Sequence, residues 1–197
     1  MVDGRVGFTG SQNMIEATYH KKTNDGLHWH ELMVRLRGPA VRELNAVFVT
    51  DWFSESEELL PVDTSPVVLN PDPALLDAQV LPSGPTFAND NNLKLFAGLI
   101  HNARRRVSIT SPCFVPDESL LLALVTAGSR GLEVELFVSE VGDQALVYHA
   151  QRSYYEALLH AGVQVYLYQA PTVLHAKHFT IDDDVAVIGS SNMTSGH

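Results

Sequence analysis

Hydrophobic and polar positions along the chain divide it into short strands and helices. Residues 6–9 read as a strand running into Gly10-Ser11. Residues 16–28 are polar and read as loop. Over residues 30–37, Leu32, Val34 and Leu36 alternate with Met33, Arg35 and Arg37, the period of a strand. Gly38-Pro39 then punctuates, and Val41, Leu44, Phe48 and Trp52 follow at helical spacing. Residues 54–86 are rich in proline, with an acidic cluster at Glu55, Glu57 and Glu58, and read as a connector holding a short strand near residues 79–81. From Phe87 onward the pattern repeats with regularity. Helices are predicted over residues 93–106, 117–129 and 144–160, and strands over 107–110, 133–138 and 163–168. Two further strands, 175–181 and 185–188, close the chain. Strands alternating with helices of this length indicate an α/β sandwich with a mixed sheet.

An internal repeat underlies the ends of the pattern. VDGRVGFTGSQNM, starting at Val2, aligns without gaps with IDDDVAVIGSSNM, starting at Ile181. The identities are Asp3/Asp182, Val6/Val185, Gly10/Gly189, Ser11/Ser190, Asn13/Asn192 and Met14/Met193. Polar positions match best, and these drift most freely in an ordinary hairpin. His175 and Lys177 precede the second copy, and their counterparts would fall before Met1. The chain therefore reads as an internal fragment of a two-repeat protein. Residues 1–60 form the rear part of the first repeat, 61–86 a connector, 87–193 the second repeat, and 194–197 a tag scar.

Composition narrows the function. The 197 residues are 45% hydrophobic and 18% charged, so the chain can build a core. Lys and Arg total 13 against 23 Asp and Glu, a formal charge of −10, which speaks against nucleic acid as a partner. The single cysteine, Cys113, excludes an internal disulfide framework and a multi-cysteine zinc site. The longest aliphatic run, residues 120–125, is far too short to span a bilayer, and no secretory signal opens the chain, so this piece is expected to be soluble.

The chemistry concentrates in HAKHFTIDDDVAVIGSSN, residues 175–192. If Asp183-Asp184 forms a two-residue turn, Lys177 lies opposite Ser190 and His175 opposite Asn192. An imidazole, an ammonium, a hydroxyl and an amide then share a sheet face, a pocket suited to phosphate. Histidine serves as nucleophile or proton donor near neutral pH. Lysine supplies positive charge where charge builds on phosphoryl oxygens. Serine and asparagine place the group with neutral hydrogen bonds. Asp182 falls off that face, which suits a supporting role. The run Arg104-Arg105-Arg106 complements a helix carboxyl end more readily than it builds a phosphate site. His28 and His30 are two imidazoles on one strand face, but no cysteine or carboxylate pair accompanies them. No metal site is therefore assigned. His20, His101, His149, His160 and His178 are given structural or exposed roles.

The spacing H-x-K-x4-D-x6-G-S-x-N resembles the phospholipase D superfamily, carried by His175, Lys177, Asp182, Gly189, Ser190 and Asn192. Asp3, Gly10, Ser11 and Asn13 match the rear half of that family's first motif. The likeness is greatest to bacterial cardiolipin synthases, through residues 38–44 with Phe48 and Trp52, residues 82–85, the run Thr110-Ser111-Pro112-Cys113-Phe114-Val115-Pro116-Asp117, and residues 152–163. The resemblance implies phosphatidyl transfer between two phosphatidylglycerols, giving cardiolipin and glycerol through a phosphohistidine, with no cofactor or metal. It implies that His175 is the acid/base, that the first motif's histidine is the nucleophile, and that Lys177, Asn192 and Asn13 hold phosphate oxygens. Ser190 and Ser11 belong to the same phosphate-binding set. It also implies an anionic phospholipid partner and a cell-membrane location for the whole protein. The fragment itself is expected to be inactive, with pairing into a homodimer left open. Cys113 stands where the family has tyrosine, and Thr194-Ser195-Gly196 departs from the family's Asp-x-Arg-Ser run. A phospholipase or nuclease of the same superfamily, or a non-catalytic phosphate-binding module, are the alternative readings.

Overall fold

The computed structural model describes residues 1–14, 28–62, 76–84, 87, 90–140 and 145–194. Along the chain the elements are β1 (Val6–Gly10), β2 (His28–His30), β3 (Met33–Arg37), α1 (Ala40–Ser56), α2 (Asn91–Asn102), β4 (Arg106–Thr110), β5 (Phe114–Val115) and α3 (Glu118–Ser129). They continue with β6 (Glu133–Ser139), α4 (Ala145–Arg152), α5 (Tyr155–His160), β7 (Gln164–Tyr168), β8 (Thr172–Leu174), β9 (His178–Ile181), β10 (Val185–Ile188) and β11 (Met193–Thr194). The chain divides into two compact units, one of Met1–Thr9 with Val34–Lys94, the other of Gly10–Met33 with Leu95–His197.

In the first unit β1 and β3 pair as a two-stranded sheet. Helix α1 starts straight after Gly38, whose φ of 89° makes the turn, and Pro39, whose φ of −59° is already helical. Val41 packs fully, and Gly7 lets the helix approach β1, because a Cβ there would sit 2.6 Å from Leu44 Cδ1. The predicted apolar stripe is buried only at its start: Phe48 stays 49% and Trp52 40% exposed.

The second unit is built on a five-stranded mixed sheet in the order β10-β9-β4-β6-β7. β4, β6 and β7 run parallel, while β9 is antiparallel to both β4 and β10. Two strand–helix–strand crossovers, β4-α3-β6 and β6-α4-α5-β7, account for the parallel pairs. Alternate strand residues Val107, Ile109, Val134, Leu136, Val138, Phe179 and Ile181 are all buried and form one continuous apolar face. Phe96 of α2 meets Phe179 edge-on with centroids 5.0 Å apart, while Ile100 and Leu124 fill the helix side of the core. Asp117 caps α3 by accepting the Ser119 N–H at 2.8 Å. Gly128 lets α3 and the end of α5 touch, since a Cβ there would collide with the Ala161 carbonyl oxygen.

The structure differs from the sequence expectation in several places. The helix expected over 144–160 is broken into α4 and α5. Gln151 is drawn inward at the break, its side chain accepting from Phe114 N–H and donating to Tyr155 Oη. The strand expected over 30–37 is two strands, β2 and β3, with different partners. No strand forms over 79–81, where Val80 N–H instead donates to Glu43 of α1. The polar stretch 16–28 lies almost wholly outside the described residues. Of the Arg104–Arg106 run just beyond α2, the Arg105 side chain pairs with Asp183 and that of Arg106 with Glu135, while the guanidinium of Arg130 donates to the carbonyls of His101 and Ala103.

The hairpin register is also corrected. The turn holds three residues, not two: Ile181 pairs with Val185, and His178 with Ile188. Lys177 therefore faces Gly189, whose N–H donates to the Lys177 carbonyl at 3.2 Å, rather than Ser190. The first repeat makes the same turn. Val2 pairs with Val6, Arg5 N–H donates to Val2 O, and Asp3 at φ 49° matches Asp182 at φ 51°.

Truncating Phe179 to alanine removes the side chain that β9 contributes to both the sheet core and α2. The substitution is expected to cost about 3–5 kcal/mol in denaturant unfolding, whereas Leu122→Ala, at a 59% exposed position of α3, is expected to cost far less.

Candidate active site

The segment carrying His175 and Lys177 lies between β8 and β9, outside the main ladder. It is held by β2, which runs parallel to β8 in the register His28/Thr172, Trp29/Val173, His30/Leu174. Beyond that pairing, the N–H groups of both His175 and Ala176 donate to the His30 carbonyl, at 2.9 and 2.8 Å. Leu174 N–H donates to the buried hydroxyl of Ser139. One step further along the same register sets Glu31 beside His175.

That carboxylate meets the imidazole directly. His175 Nδ1 lies 2.9 Å from each oxygen of Glu31. On the other ring nitrogen, Lys177 Nζ lies 3.1 Å from Nε2 and 2.8 Å from the His175 carbonyl oxygen. An ammonium has only donors, so Nε2 accepts, and the ring proton sits on Nδ1, donated to Glu31. The result is a neutral imidazole with its Nε2 lone pair beside a fixed cation. Trp29 lies against the ring, with centroids 4.2 Å apart and planes tilted by 37°. Lys177 is only 6% exposed, and the His175 and Glu31 side chains are 17% and 20% exposed.

Ser11 supports the carboxylate. Its hydroxyl donates to Glu31 at 2.5 Å and accepts the Leu32 N–H at 2.9 Å, while its own N–H donates to the Leu32 carbonyl. The chain can double back this tightly because the preceding residue is Gly10, where any Cβ would collide with the Leu32 carbonyl oxygen. Ser11, expected to hold phosphate, is thus placed on Glu31. Asn13, two residues on, is exposed.

Asp182 sits at the far end of β9 from His175. Its carboxylate accepts the backbone N–H groups of Arg104, Arg105 and Arg106, the shortest at 2.8 Å. These donors, that of Arg106 foremost, hold the Asp182 carboxyl below its ordinary value of 3.8. Asp182 thereby fixes the entry into β4, next to the hairpin that carries the motif.

Ser190 is exposed and Asn192 half-buried. The Asn192 Oδ1 is buried without a hydrogen-bond partner among the described residues. Its backbone is anchored on the far side, where β11 pairs with β5 and Met193 N–H donates to the buried Ser111 hydroxyl. His178, next in the strand, is pushed below its ordinary value of 6.5 by burial and secondarily by His30, so it stays neutral near neutral pH. No cluster of three or more potential metal ligands occurs among the described residues. No helix among them is long and apolar enough to cross a membrane.

Nothing in the sequence pattern singles out Glu31 or Trp29. Attention there falls on His28 and His30, but a strand alternates its faces. The residues between and after them, two apart, are the ones that reach His175.

Comparison with known proteins places the chain in a family. A family model described as a cardiolipin synthase, PLD-like domain matches residues 96–197. A cardiolipin synthase of Halalkalibacterium halodurans is 39% identical over 198 residues, covering 98% of this chain and 38% of the relative. A cardiolipin synthase A of Wigglesworthia glossinidia brevipalpis is 32% identical over 196 residues, covering 98% of this chain and 39% of the relative. Among solved structures, a phospholipase D family member, Nuc from Salmonella typhimurium, superimposes with a TM-score of 0.45 at 21% identity, over 52% of this chain and 64% of that one. The chain belongs to the cardiolipin synthase, phospholipase D-like family. It spans about two fifths of the length of the curated relatives it matches.

The Asp182 contacts give a pH dependence with a definite sign. A carboxyl held below its unfolded value stabilises the fold above that value, and the stabilisation is lost as pH falls through the folded one. Replacing Asp182 with alanine is expected to lower the thermal midpoint at about pH 7. The gap from the parent is expected to narrow as the pH drops below the unfolded value of 3.8. Thermal melts at several pH values measure this directly.

Proposed function

We propose that this chain supplies one half of the active site of a phosphatidyltransferase that makes cardiolipin and glycerol from two phosphatidylglycerols. The observation that carries the reading is the His175 imidazole held between a carboxylate on Nδ1 and an ammonium on Nε2. The family membership and the names of the relatives support the substrate class.

The reaction runs as two displacements at phosphorus. In the first, the nucleophilic histidine of the other motif attacks the phosphorus of phosphatidylglycerol. The bond to the glycerol oxygen breaks, and the glycerol leaves with a proton from His175. In the second, His175 takes a proton from the hydroxyl of another phosphatidylglycerol. That oxygen attacks phosphorus, the phosphorus–nitrogen bond breaks, and cardiolipin is released. Each step places distinct demands on His175. As base it needs a lone pair on Nε2, which the Nδ1–H bond to Glu31 secures. As acid it must carry two ring protons, and the adjacent carboxylate stabilises that imidazolium. Lys177 lies where its charge can pass from the imidazole to the phosphoryl oxygens as negative charge develops. Asn192 and Asn13, whose side-chain amide N–H groups can donate to phosphoryl oxygens, complete the phosphate-binding set. Ser11 acts through Glu31, and Ser190 lies at the exposed mouth of the loop. Anionic phospholipid at a membrane surface is the partner this chemistry requires. Two histidines are needed and the full motif occurs once here, so the activity belongs to the assembled two-motif site.

The intact polypeptide carrying this sequence, given phosphatidylglycerol vesicles, is expected to release cardiolipin and free glycerol in equal amounts. His175→Ala is expected to slow this by at least about a hundredfold. Phosphatidic acid in place of cardiolipin would make the enzyme a hydrolase, and an unchanged rate in the variant would overturn the reading.

A further inference from the structure

The geometry points to Trp29 as a positioning residue for His175, one that fixes the plane of the imidazole in which Glu31 fixes only one edge. The inference rests on the role proposed for His175 but is tested independently of turnover. Both oxygens of Glu31 lie 2.9 Å from Nδ1. A single N–H shared by a symmetric acceptor leaves the ring free to swing about that contact. The Lys177 ammonium, at the end of a flexible four-carbon stem, does not define a plane either. The indole does. Its centroid lies 4.2 Å from that of the imidazole, at 37° between planes, so rotation of the ring in one direction drives it into the indole.

The backbone explains why the contact is reliable. Trp29 is the middle residue of β2, paired in parallel register with Val173, and His175 follows β8 directly. Glu31 emerges from the same side of the strand two residues on. One pair of short strands thus carries Trp29 on one member and leads directly into Glu31 and His175 at its end. Among the described residues, the titratable groups in contact with the ring are Glu31, directly after β2, and Lys177 on the imidazole's own segment. His30 of β2 points elsewhere, its ring stacking on Tyr168 of β7 at 6.1 Å. An indole face also favours a cation over a neutral ring, so the contact persists when His175 is protonated.

The sequence holds two tryptophans, and Trp52 is 40% exposed on α1. The 197-residue chain carrying Trp52→Phe therefore reports on Trp29 alone without altering the site. Its fluorescence is expected to fall once the pH is low enough to put a second proton on the His175 ring, because a protonated imidazole in contact quenches an indole. The step is expected to disappear when His175→Gln is added and to survive His30→Gln. Proton and nitrogen NMR of the His175 ring gives the second readout. Trp29→Leu is expected to shift the ring-proton resonances downfield, by loss of the indole ring current, and to mix the two tautomers. Trp29→Phe is expected to restore the single Nδ1–H form. A fluorescence titration without a step dependent on His175, or His175 resonances unmoved by Trp29→Leu, overturns the inference. Failure to form cardiolipin leaves these readouts unchanged and bears only on the proposed function.

Discussion

The site depends on one carbonyl. The His30 oxygen accepts two consecutive backbone N–H groups, those of His175 and Ala176, and this bifurcated contact holds the motif where no regular strand pairing reaches it. A chain leaving a sheet must satisfy its own donors or lose the free energy of burying them. Here the satisfaction comes from a three-residue strand that also supplies Trp29 and leads into Glu31. If that anchor were lost, the imidazole would part from its carboxylate and its aromatic wall together, though none of those side chains would itself have changed.

A second constraint acts at the opposite end of β9. Asp182 adopts a left-handed backbone conformation, φ 51°, which most residues avoid. Aspartate tolerates it, and the three N–H groups of Arg104, Arg105 and Arg106 reward it. The motif's aspartate is therefore an architectural anchor. It ties the hairpin to the first strand of the parallel sheet, and the sheet in turn aligns the strand that leads back to Lys177.

Much of the fold was legible because the second unit follows simple periodicity. The strands at Val107, Val134 and Phe179 alternate faces cleanly, and α3 opens on an aspartate cap and is closed soon after by Gly131. The sequence pattern alone places the hairpin register one residue out, because the outcome turns on tertiary donors. Nothing near Asp182 in sequence announces that backbone N–H groups from Arg104 to Arg106 will draw it into the turn. Glu31 was illegible for the same reason. It meets His175 across a separation of 144 residues, and a carboxylate in His-Trp-His-Glu looks like any other. The two repeat copies carry the same lesson. Their turns coincide, down to Asp3 and Asp182, yet Ser11 is buried against Glu31 while Ser190 is exposed. The repeated motif fixes backbone shape more firmly than the task of each side chain.

The long separation between Glu31 and His175 also orders events in time. Local strands and helices of the second unit, from α2 through β7, close small loops and can form early, whereas joining Glu31 to His175 requires nearly three quarters of the chain to be gathered first. The imidazole thus gains its carboxylate only after the scaffold beneath it exists. Chemical competence becomes a late certificate of correct assembly: a molecule with the segment bearing Glu31 misplaced would carry the motif intact and yet hold a histidine without its carboxylate.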